Sequence, residues 1–425
     1  MPSPFPVLTC RPASLTWLTI ALVGVGGCGD PSPPAKPAVV PAVAPRPQAG
    51  AAELAAGRDL LAQGRTTEAI AALTRAAREA PADPGIQFHL ANACLAEDRY
   101  REAETAYRRA IELDSGFVAA HHNLGGLYAA VERFPEAIAE IRRSIELDPT
   151  YARGHNSLGK LLYRQGDHVQ AAVAYLRATE LDSAYTEAWL NLGEVRAKDR
   201  DLDAALQAYR RAVRIDSACS PALAGMGAVL TKQRRFDEAV TCLERAIRLD
   251  PLLTRAHYTL GQAYLRLSRQ DEAHRALEIA ARLEKQDTRI DELLYALTTY
   301  PDRAGIYFDL GVVYGQRGEM DKARQKYERA LALDPAQVPA HYNLGNIHLR
   351  AGRLEPALHH YQRAAAVDST YAPAFGGIGN VDMLRRNFAG AVRAFARAAA
   401  LDPRNPEYRR SLELARTATA RGSLP

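Results

Sequence analysis

The segment AHHNLGGLYAA (120–130) returns twice with few changes, as AHYTLGQAYLR (256–266) and AHYNLGNIHLR (340–350). All three copies place a histidine second, a leucine fifth and a glycine sixth. Recurrence of a residue at a fixed interval indicates a structural role in a repeat fold before it indicates a binding or catalytic role. The interval between the copies therefore has to be established before any polar side chain is assigned to a site.

Alignment of the EA and DA dipeptides before each second apolar run gives that interval, through one alanine in each repeat. Seven of these alanines lie 34 residues apart, and three more resume the same spacing after a break: Ala69, Ala103, Ala137, Ala171, Ala205, Ala239, Ala273, then Ala323, Ala357, Ala391. Numbering each repeat from residue 50 or its equivalent, these alanines occupy position 20. Position 8 is also small throughout, as Gly57, Ala91, Gly125, Gly159, Gly193, Gly227, Gly261, Gly311, Gly345 and Gly379.

The 34-residue period and the small residues at positions 8 and 20 resemble the tetratricopeptide repeat family. In that family the two helices of each repeat cross closely where the small side chains lie. The resemblance implies an all-α solenoid of about ten helical hairpins in a right-handed superhelix. Residues 50–287 would form seven repeats and residues 304–405 three.

Two segments outside the period are expected to be helical. The insertion TRIDELLYALTTYPDR (288–303) has apolar residues at helical spacing and ends near Pro301, which indicates an amphipathic helix. It would serve as a hinge, an interface or a rigid spacer. Residues 406–425 are expected to form a capping helix and tail, with Tyr408, Leu412 and Ala415 facing inward.

Composition and spacing disfavour several kinds of site. The net charge is +5, with 54 basic and 49 acidic residues spread along the chain, so we expect no nucleic-acid partner. The five cysteines form no CxxC pair. Histidines at repeat position 4 recur with the scaffold, so we expect no metal there: His121, His155, His257 and His341. We also find no catalytic motif, no cofactor fingerprint and no small-molecule site.

The N-terminal region is predicted to be a targeting signal. Residues 15–27, LTWLTIALVGVGG, are apolar but too short to span a bilayer. The following VGGC resembles the lipobox of bacterial lipoproteins, which implies a signal peptide over 1–27 and acylation of Cys28. Residues 28–49 would then be a Pro/Ala-rich tether. The alternative is an ordinary secretory signal with an incidental cysteine.

Polar residues at positions 6 and 9 are the candidate binding site, because in the family the first helices line a concave groove. Positions 6 and 9 share one helix face. Asparagine offers both a donor and an acceptor to an extended peptide, as in the asparagine ladder of protein O-GlcNAc transferases. The alternative is that asparagine is simply tolerated on the solvent-exposed concave face and has no binding role. The candidates are Asn123, Asn191 and Asn343 at position 6, Asn92, Lys160, Gln262, Asn346 and Asn380 at position 9, and Tyr258 and Tyr342 nearby.

These observations predict a non-catalytic scaffold that binds protein or peptide segments in its groove. Lipidation would hold it on the periplasmic or extracytoplasmic face of a bacterial membrane. Two alternatives remain open: a cytoplasmic adaptor, or a non-catalytic partner of a separate enzyme such as a glycosyltransferase. We also expect the position-6 asparagines to lie outside the hairpin core.

Overall fold

The computed structural model describes residues 50–422, which contain 21 α-helices and no strand. The expected all-α repeat fold is therefore confirmed for this part of the chain. Cys28, the apolar segment 15–27 and the tether lie outside the described residues. The described chain divides into two compact units, 50–277 and 278–422, and each consists of helical hairpins.

The unit 50–277 contains six complete hairpins and most of a seventh. Its first helices are α1 (Ala51–Ala62), α3 (Pro84–Ala96), α5 (Val118–Ala130), α7 (Ala152–Arg164), α9 (Thr186–Lys198), α11 (Ser220–Lys232) and α13 (Thr254–Arg266). Its second helices are α2 (Thr66–Glu79), α4 (Tyr100–Leu113), α6 (Phe134–Leu147), α8 (His168–Leu181), α10 (Leu202–Ile215) and α12 (Phe236–Leu249). Helix α14 (Gln270–Thr299) begins in this unit.

The unit 278–422 contains the end of α14, three hairpins and a last helix. Its helices are α15 (Ala304–Gln316), α16 (Met320–Leu333), α17 (Val338–Arg350), α18 (Leu354–Val367), α19 (Ala372–Leu384), α20 (Phe388–Leu401) and α21 (Pro406–Gly422). The last helix packs on α20, with Ala415 fully buried and Leu412 beside Phe395.

The insertion is not a separate helix. Residues 288–299 continue the second helix of repeat seven without a break, so that α14 has 30 residues instead of the usual 14. Ile290 and Leu293 are buried against Ile306 and Leu310 of α15, as helical spacing predicts. Tyr300 follows the helix and is 55% exposed.

The small residue at position 8 makes room for a large side chain sixteen residues later. A Cβ on Gly159 would lie 2.6 Å from the Tyr175 ring, and one on Gly227 would lie 2.4 Å from Leu243 Cγ. Because a carbon at that distance is impossible without movement, the glycine fixes how closely the two helices of a hairpin approach. The alanine at position 20 is fully buried in every repeat.

The turns within hairpins and the turns between hairpins each have a recurring local geometry. Within each hairpin the residue at position 15 has a positive φ, whether it is a glycine such as Gly166 or a side-chain residue such as Arg200. Between hairpins the aspartate of the LDP or LDS sequence folds back, and Oδ1 of Asp182 accepts from the backbone N–H of Ala184 at 2.9 Å. Aspartate, and not only the following proline or serine, therefore shapes these turns.

Candidate peptide-binding groove

The candidate site lies on the face formed by the first helices of the hairpins, which we call the first-helix face. In the unit 50–277, α5 contacts α7, α7 contacts α9, and α9 contacts α11. In the unit 278–422, α17 contacts α19. Side chains from neighbouring repeats therefore come within hydrogen-bonding distance of one another on this face.

The amides of Asn92 and Asn123 are joined across two repeats. Nδ2 of Asn123 donates to Oδ1 of Asn92 at 2.9 Å, and the hydroxyl of buried Tyr107 donates to the same oxygen at 2.5 Å. Burial raises the pKa of Tyr107, so the phenol is a protonated donor. The tyrosine thus fixes the orientation of both amides.

A second amide pair joins repeats four and five. Nδ2 of Asn191 donates to Oδ1 of Asn156 at 2.9 Å, and Nδ2 of Asn156 donates to the hydroxyl of Tyr185 at 3.1 Å. Asn191 is only 6% exposed and Asn156 only 1%. Asn191 therefore lies in the core and not in the groove, contrary to our expectation for position 6. Asn156 stands at position 5, which the sequence comparison did not single out.

In the unit 278–422 the amides again bind tyrosines. Nδ2 of Asn343 donates to the hydroxyl of Tyr327 at 3.1 Å, and the hydroxyl of Tyr361 donates to Oδ1 of Asn346 at 2.7 Å. Asn343 and Asn346 are both half-buried. Part of each amide's hydrogen-bonding capacity is therefore used within the protein.

Glycine at position 6 has a reason of its own. The ring of Tyr209, from the preceding second helix, occupies the space that a side chain at 225 would need, with Cζ 2.5 Å from an ideal Cβ on Gly225. Gly377 and Tyr361 have the same relationship, with a closest approach of 2.6 Å. A tyrosine of the preceding second helix therefore bonds an asparagine at position 6, as in Tyr327 and Asn343, or fills the space above a glycine.

Four of the candidate residues remain accessible or bind charged partners. Tyr258 is 52% exposed, and Gln262 and Asn380 are exposed. Nζ of Lys160 forms an ion pair with Glu187 of the next repeat. Tyr342 is half-buried against Tyr361 and Tyr371, with ring centroids 5.9 and 5.6 Å away.

Glu194 is a groove residue that the sequence analysis missed. It stands at position 9, between Lys160 and Gln262 in the repeat series, so the same positional argument could have found it. The Glu194 side chain is exposed to solvent, but the surrounding protein atoms still partly desolvate its carboxyl. This desolvation raises the pKa of Glu194, and the charge of Arg255 opposes the shift. The face therefore carries an acidic group among amides and tyrosines.

The position-4 histidines support the turns between repeats. The Nε2 atoms of His121, His155, His257 and His341 each lie 3.0–3.3 Å from the carbonyl oxygen six residues earlier, in Ser115, Pro149, Pro251 and Pro335 respectively. Trp189 donates to Ser183 and Tyr307 to Pro301 in the same way. The recurrence of these contacts explains the histidines as scaffold.

In two repeats with an apolar residue at position 4, an arginine supplies the donor. Position 4 is Leu223 in repeat six, and Nη2 of Arg245 donates to the Ser217 carbonyl at 2.6 Å. Position 4 is Phe375 in repeat ten, and Nη2 of Arg397 donates to the carbonyl of Ser369 at 3.4 Å. The same backbone carbonyl is thus satisfied by chemically different side chains.

His121 and its neighbour His122 point to different partners. Nδ1 of His121 lies 2.6 Å from Oε2 of Glu140, whereas Nε2 of His122 lies 2.9 Å from Oγ of Ser157 in the next repeat. Across residues 50–422 no three histidine, cysteine or acidic side chains form a group that could hold a metal. Cys94, Cys219 and Cys242 are free thiols.

Comparison with known families accounts for most of the array. A model described as "TPR repeat" matches residues 127–166, 227–268 and 313–352. Models described as "Tetratricopeptide repeat" match residues 54–116 and 156–218, and residues 338–371. No curated protein matches the sequence.

Several solved structures are similar to parts of the chain. MamA is 24% identical over 39% of this chain and 96% of its own, with a TM-score of 0.36. YrrB, described as a TPR protein with an unusual peptide-binding site, is 24% identical over 43% of this chain and 95% of its own, with a TM-score of 0.37. PilF of Pseudomonas aeruginosa is 21% identical over 49% of this chain and 94% of its own, with a TM-score of 0.45. Together, the repeat period, the hairpins and the family matches along the array show that this chain belongs to the tetratricopeptide repeat family.

Proposed function

We propose that the first-helix face binds an extended segment of a partner protein, and that the chain is a non-catalytic scaffold. Repeat solenoids present long binding surfaces of this kind, and tetratricopeptide repeats in general serve as protein-binding scaffolds. The observation that carries the proposal is the row of oriented polar groups on adjacent repeats. The half-buried amides of Asn92 and Asn346 are each held by a buried tyrosine, and exposed Tyr258 and Gln262 lie together on helix α13.

Preorganised amides favour binding because their side chains lose little freedom when a peptide arrives. An amide held by a tyrosine hydroxyl keeps one hydrogen-bonding group in a fixed direction, and its unused group is available to a peptide backbone. Gln262 and Tyr258 are exposed, so their side chains can contact a bound segment directly. Glu194 would favour a segment with a basic residue.

Site-specific photocrosslinking tests the binding face in the full chain. A photoreactive residue at Gln262 on the first-helix face should capture a partner in cells. The matched control is the same residue at Gln207, an exposed position on second helix α10. Capture at 207 and not at 262 would show that the partner binds the other face.

Once a partner is captured, Gln262→Ala and Tyr258→Ala measure the contribution of the face. Each net hydrogen bond contributes about 0.5–1.5 kcal/mol, so Gln262→Ala should weaken binding several-fold. Asn191→Ala is unsuitable for this purpose, because a change at a buried amide would alter stability as well as binding.

The proposal also includes attachment to the extracytoplasmic face of a bacterial membrane through Cys28. Its support is the sequence VGGC after an apolar segment and before a proline-rich tether. Two acyl chains anchor a protein stably, whereas one chain is marginal. No helix within residues 50–422 is long and apolar enough to cross a bilayer.

Fractionation of cells that express the full chain or Cys28→Ala tests the anchor. We expect the unchanged chain in the membrane fraction with a lipid-bearing cysteine at its mature N-terminus, and the variant in the soluble fraction. An intact Met1 on membrane-extracted protein would contradict acylation. Recovery of the unchanged chain from the cytosol would favour the cytoplasmic adaptor.

A further inference from the structure

We infer that the outer face of helix α8 is a self-association surface that joins two copies of this chain. Three branched aliphatic side chains, Val169, Val173 and Leu176, lie along that face and are 69%, 58% and 40% exposed. Residues four and three apart share one side of a helix. These residues, the α8 stripe, form an apolar row about 10 Å long at 1.5 Å per residue.

The stripe is particular to the fourth repeat. The corresponding positions of the other nine second helices carry no Val, Leu, Ile or aromatic residue. In α10, for example, they are Asp203, Gln207 and Arg210, and in α12 they are Asp237, Thr241 and Glu244. The scaffold itself therefore does not require apolar side chains there. Contiguous exposed apolar patches are characteristic of interaction surfaces.

A groove beside the stripe adds to the surface. It runs between α7 and α8 and is lined by Leu158 and Leu162, with Val173 and Leu176 of the stripe at its edge. Repeat position 23 lies in this groove. In repeat three that position carries Glu140, whose carboxylate contacts His121. In repeat four that position is Ala174, whose small side chain leaves the groove open.

The charges at the ends of the stripe select a second copy in the antiparallel orientation. Asp167 precedes the stripe and Arg177 follows it, and both are exposed. If two α8 helices packed in parallel, Asp167 would face Asp167 and Arg177 would face Arg177. In the antiparallel arrangement each Asp167 faces an Arg177 of the other copy, and Val169 faces Leu176 with Val173 at the centre.

That arrangement is a two-fold symmetric interface, in which each copy uses the same patch. Antiparallel helices also bring opposite ends of their dipoles together. In the single chain Arg177 pairs only with Glu180, at 3.1 Å, and both side chains are about half exposed. Because such a surface pair contributes little to stability, Arg177 can exchange it for Asp167 of the second copy at small cost.

The oligomeric state of the full chain tests this inference. Sedimentation equilibrium over a range of micromolar concentrations should show a reversible dimer. Val173→Asp should raise the dissociation constant about 100-fold or more, since each copy loses an apolar contact worth roughly a factor of 10. Gln207→Asp, at the same position of the next repeat, should leave the dissociation constant unchanged. Circular dichroism would show that both variants keep their helicity.

Disulfide trapping gives an independent measurement. Val173→Cys lies near the expected two-fold axis and should form a covalent dimer under mild oxidation, whereas Gln207→Cys should not. A chain that stays monomeric at all concentrations would overturn the inference, as would a dimer that is unaffected by Val173→Asp. Trapping of a different protein at Val173→Cys, without a homodimer, would assign the stripe to another partner and equally reject self-association.

Discussion

The side-chain amide of Asn191 donates to the side-chain amide of Asn156 at 2.9 Å, and both residues are buried. They come from equivalent helices of adjacent repeats, α9 and α7. This hydrogen bond connects two hairpins through buried polar groups, beside the Lys160–Glu187 ion pair between the same two helices. It makes Asn191 a stabilising residue of the array and not a groove residue.

Asn191→Ala is expected to destabilise the unit 50–277 by about 1–3 kcal/mol, because it leaves the buried oxygen of Asn156 without its donor. Denaturant unfolding or hydrogen exchange of α7 and α9 measures the effect. Asn380→Ala, which changes an exposed asparagine, should stay within about 0.5 kcal/mol of the unchanged protein. Equal stability of the two variants would show that the amide pair contributes nothing.

The adjacent glycines of AHHNLGGLYAA should respond in opposite directions to the same substitution. A Cβ on Gly125 would lie 2.8 Å from Ile141 Cγ1 and 3.0 Å from the backbone oxygen of Ala137, whereas Gly126 has open space. Gly125→Ala should therefore destabilise the protein by about 1–3 kcal/mol through overpacking. Gly126→Ala should stabilise it by up to about 1 kcal/mol, since alanine favours a helix. Thermal unfolding of the pair checks both signs.

The ion pairs of Arg317 should matter more than those of Arg385 at the same repeat position. Arg317 has only 11% of its side chain exposed and pairs with Asp287 of α14 and with Glu319, whereas Arg385 pairs with Glu355, which is 79% exposed. Arg317→Gln should cost about 1–3 kcal/mol, because it leaves the half-buried Glu319 carboxylate with one fewer partner. Arg385→Gln should cost less than about 1 kcal/mol. Hydrogen exchange in α14 and α15 would show any local opening.

Three neighbouring histidines of the unit 278–422, His341, His348 and His360, form a pH-sensitive group. Nε2 of His341 donates to the Pro335 carbonyl, so its Nδ1 accepts from Nδ1–H of His360 at 3.2 Å. Burial, together with the smaller effect of the neighbouring charges of His341, His348 and His359, lowers the pKa of His360 to about 4. Burial also lowers the pKa of His341 and of His348.

The direction of the pH effect follows from these shifts. A histidine whose pKa is lowered in the folded state binds protons less readily than in the unfolded chain, so its contribution to stability is complete above about pH 6.5. The contribution is lost as the pH falls from about 6.5 towards 4. Arg353 near His348 and Arg363 near His341 act in the same direction, while Glu328 opposes the shift of His348.

We therefore expect the unit 278–422 to melt at lower temperature as the pH falls through this range. His360→Gln should reduce the pH-dependent loss by an amount on the order of 2 kcal/mol, and His341 and His348 should account for the remainder. His274→Gln, which replaces an exposed histidine outside this group, is the control. An unchanged pH profile in His360→Gln would contradict this account. Histidine NMR titrations would identify the groups that change.

The sequence by itself determined the repeat fold, because the 34-residue period is imposed locally. A small residue at position 8, an alanine at position 20 and an aspartate in each turn act within one hairpin or between neighbours, so their spacing is visible without coordinates. The scaffold role of the histidines followed from the same periodicity. The sequence did not show the hydrogen bond from each position-4 histidine to the carbonyl oxygen of the preceding turn, which explains that role.

Tertiary structure alone decided how the polar residues are used. Asn123 and Asn191 share repeat position 6, yet Asn123 is half-buried and donates to Asn92 at position 9. Asn191, in contrast, is in the core and donates to Asn156 at position 5. Likewise, the insertion has the periodicity of a helix, but only the structure shows that it extends α14 without a break. Burial and hydrogen bonding depend on side chains that lie about 15–35 residues away in the chain, and a repeat pattern specifies positions without specifying those partners.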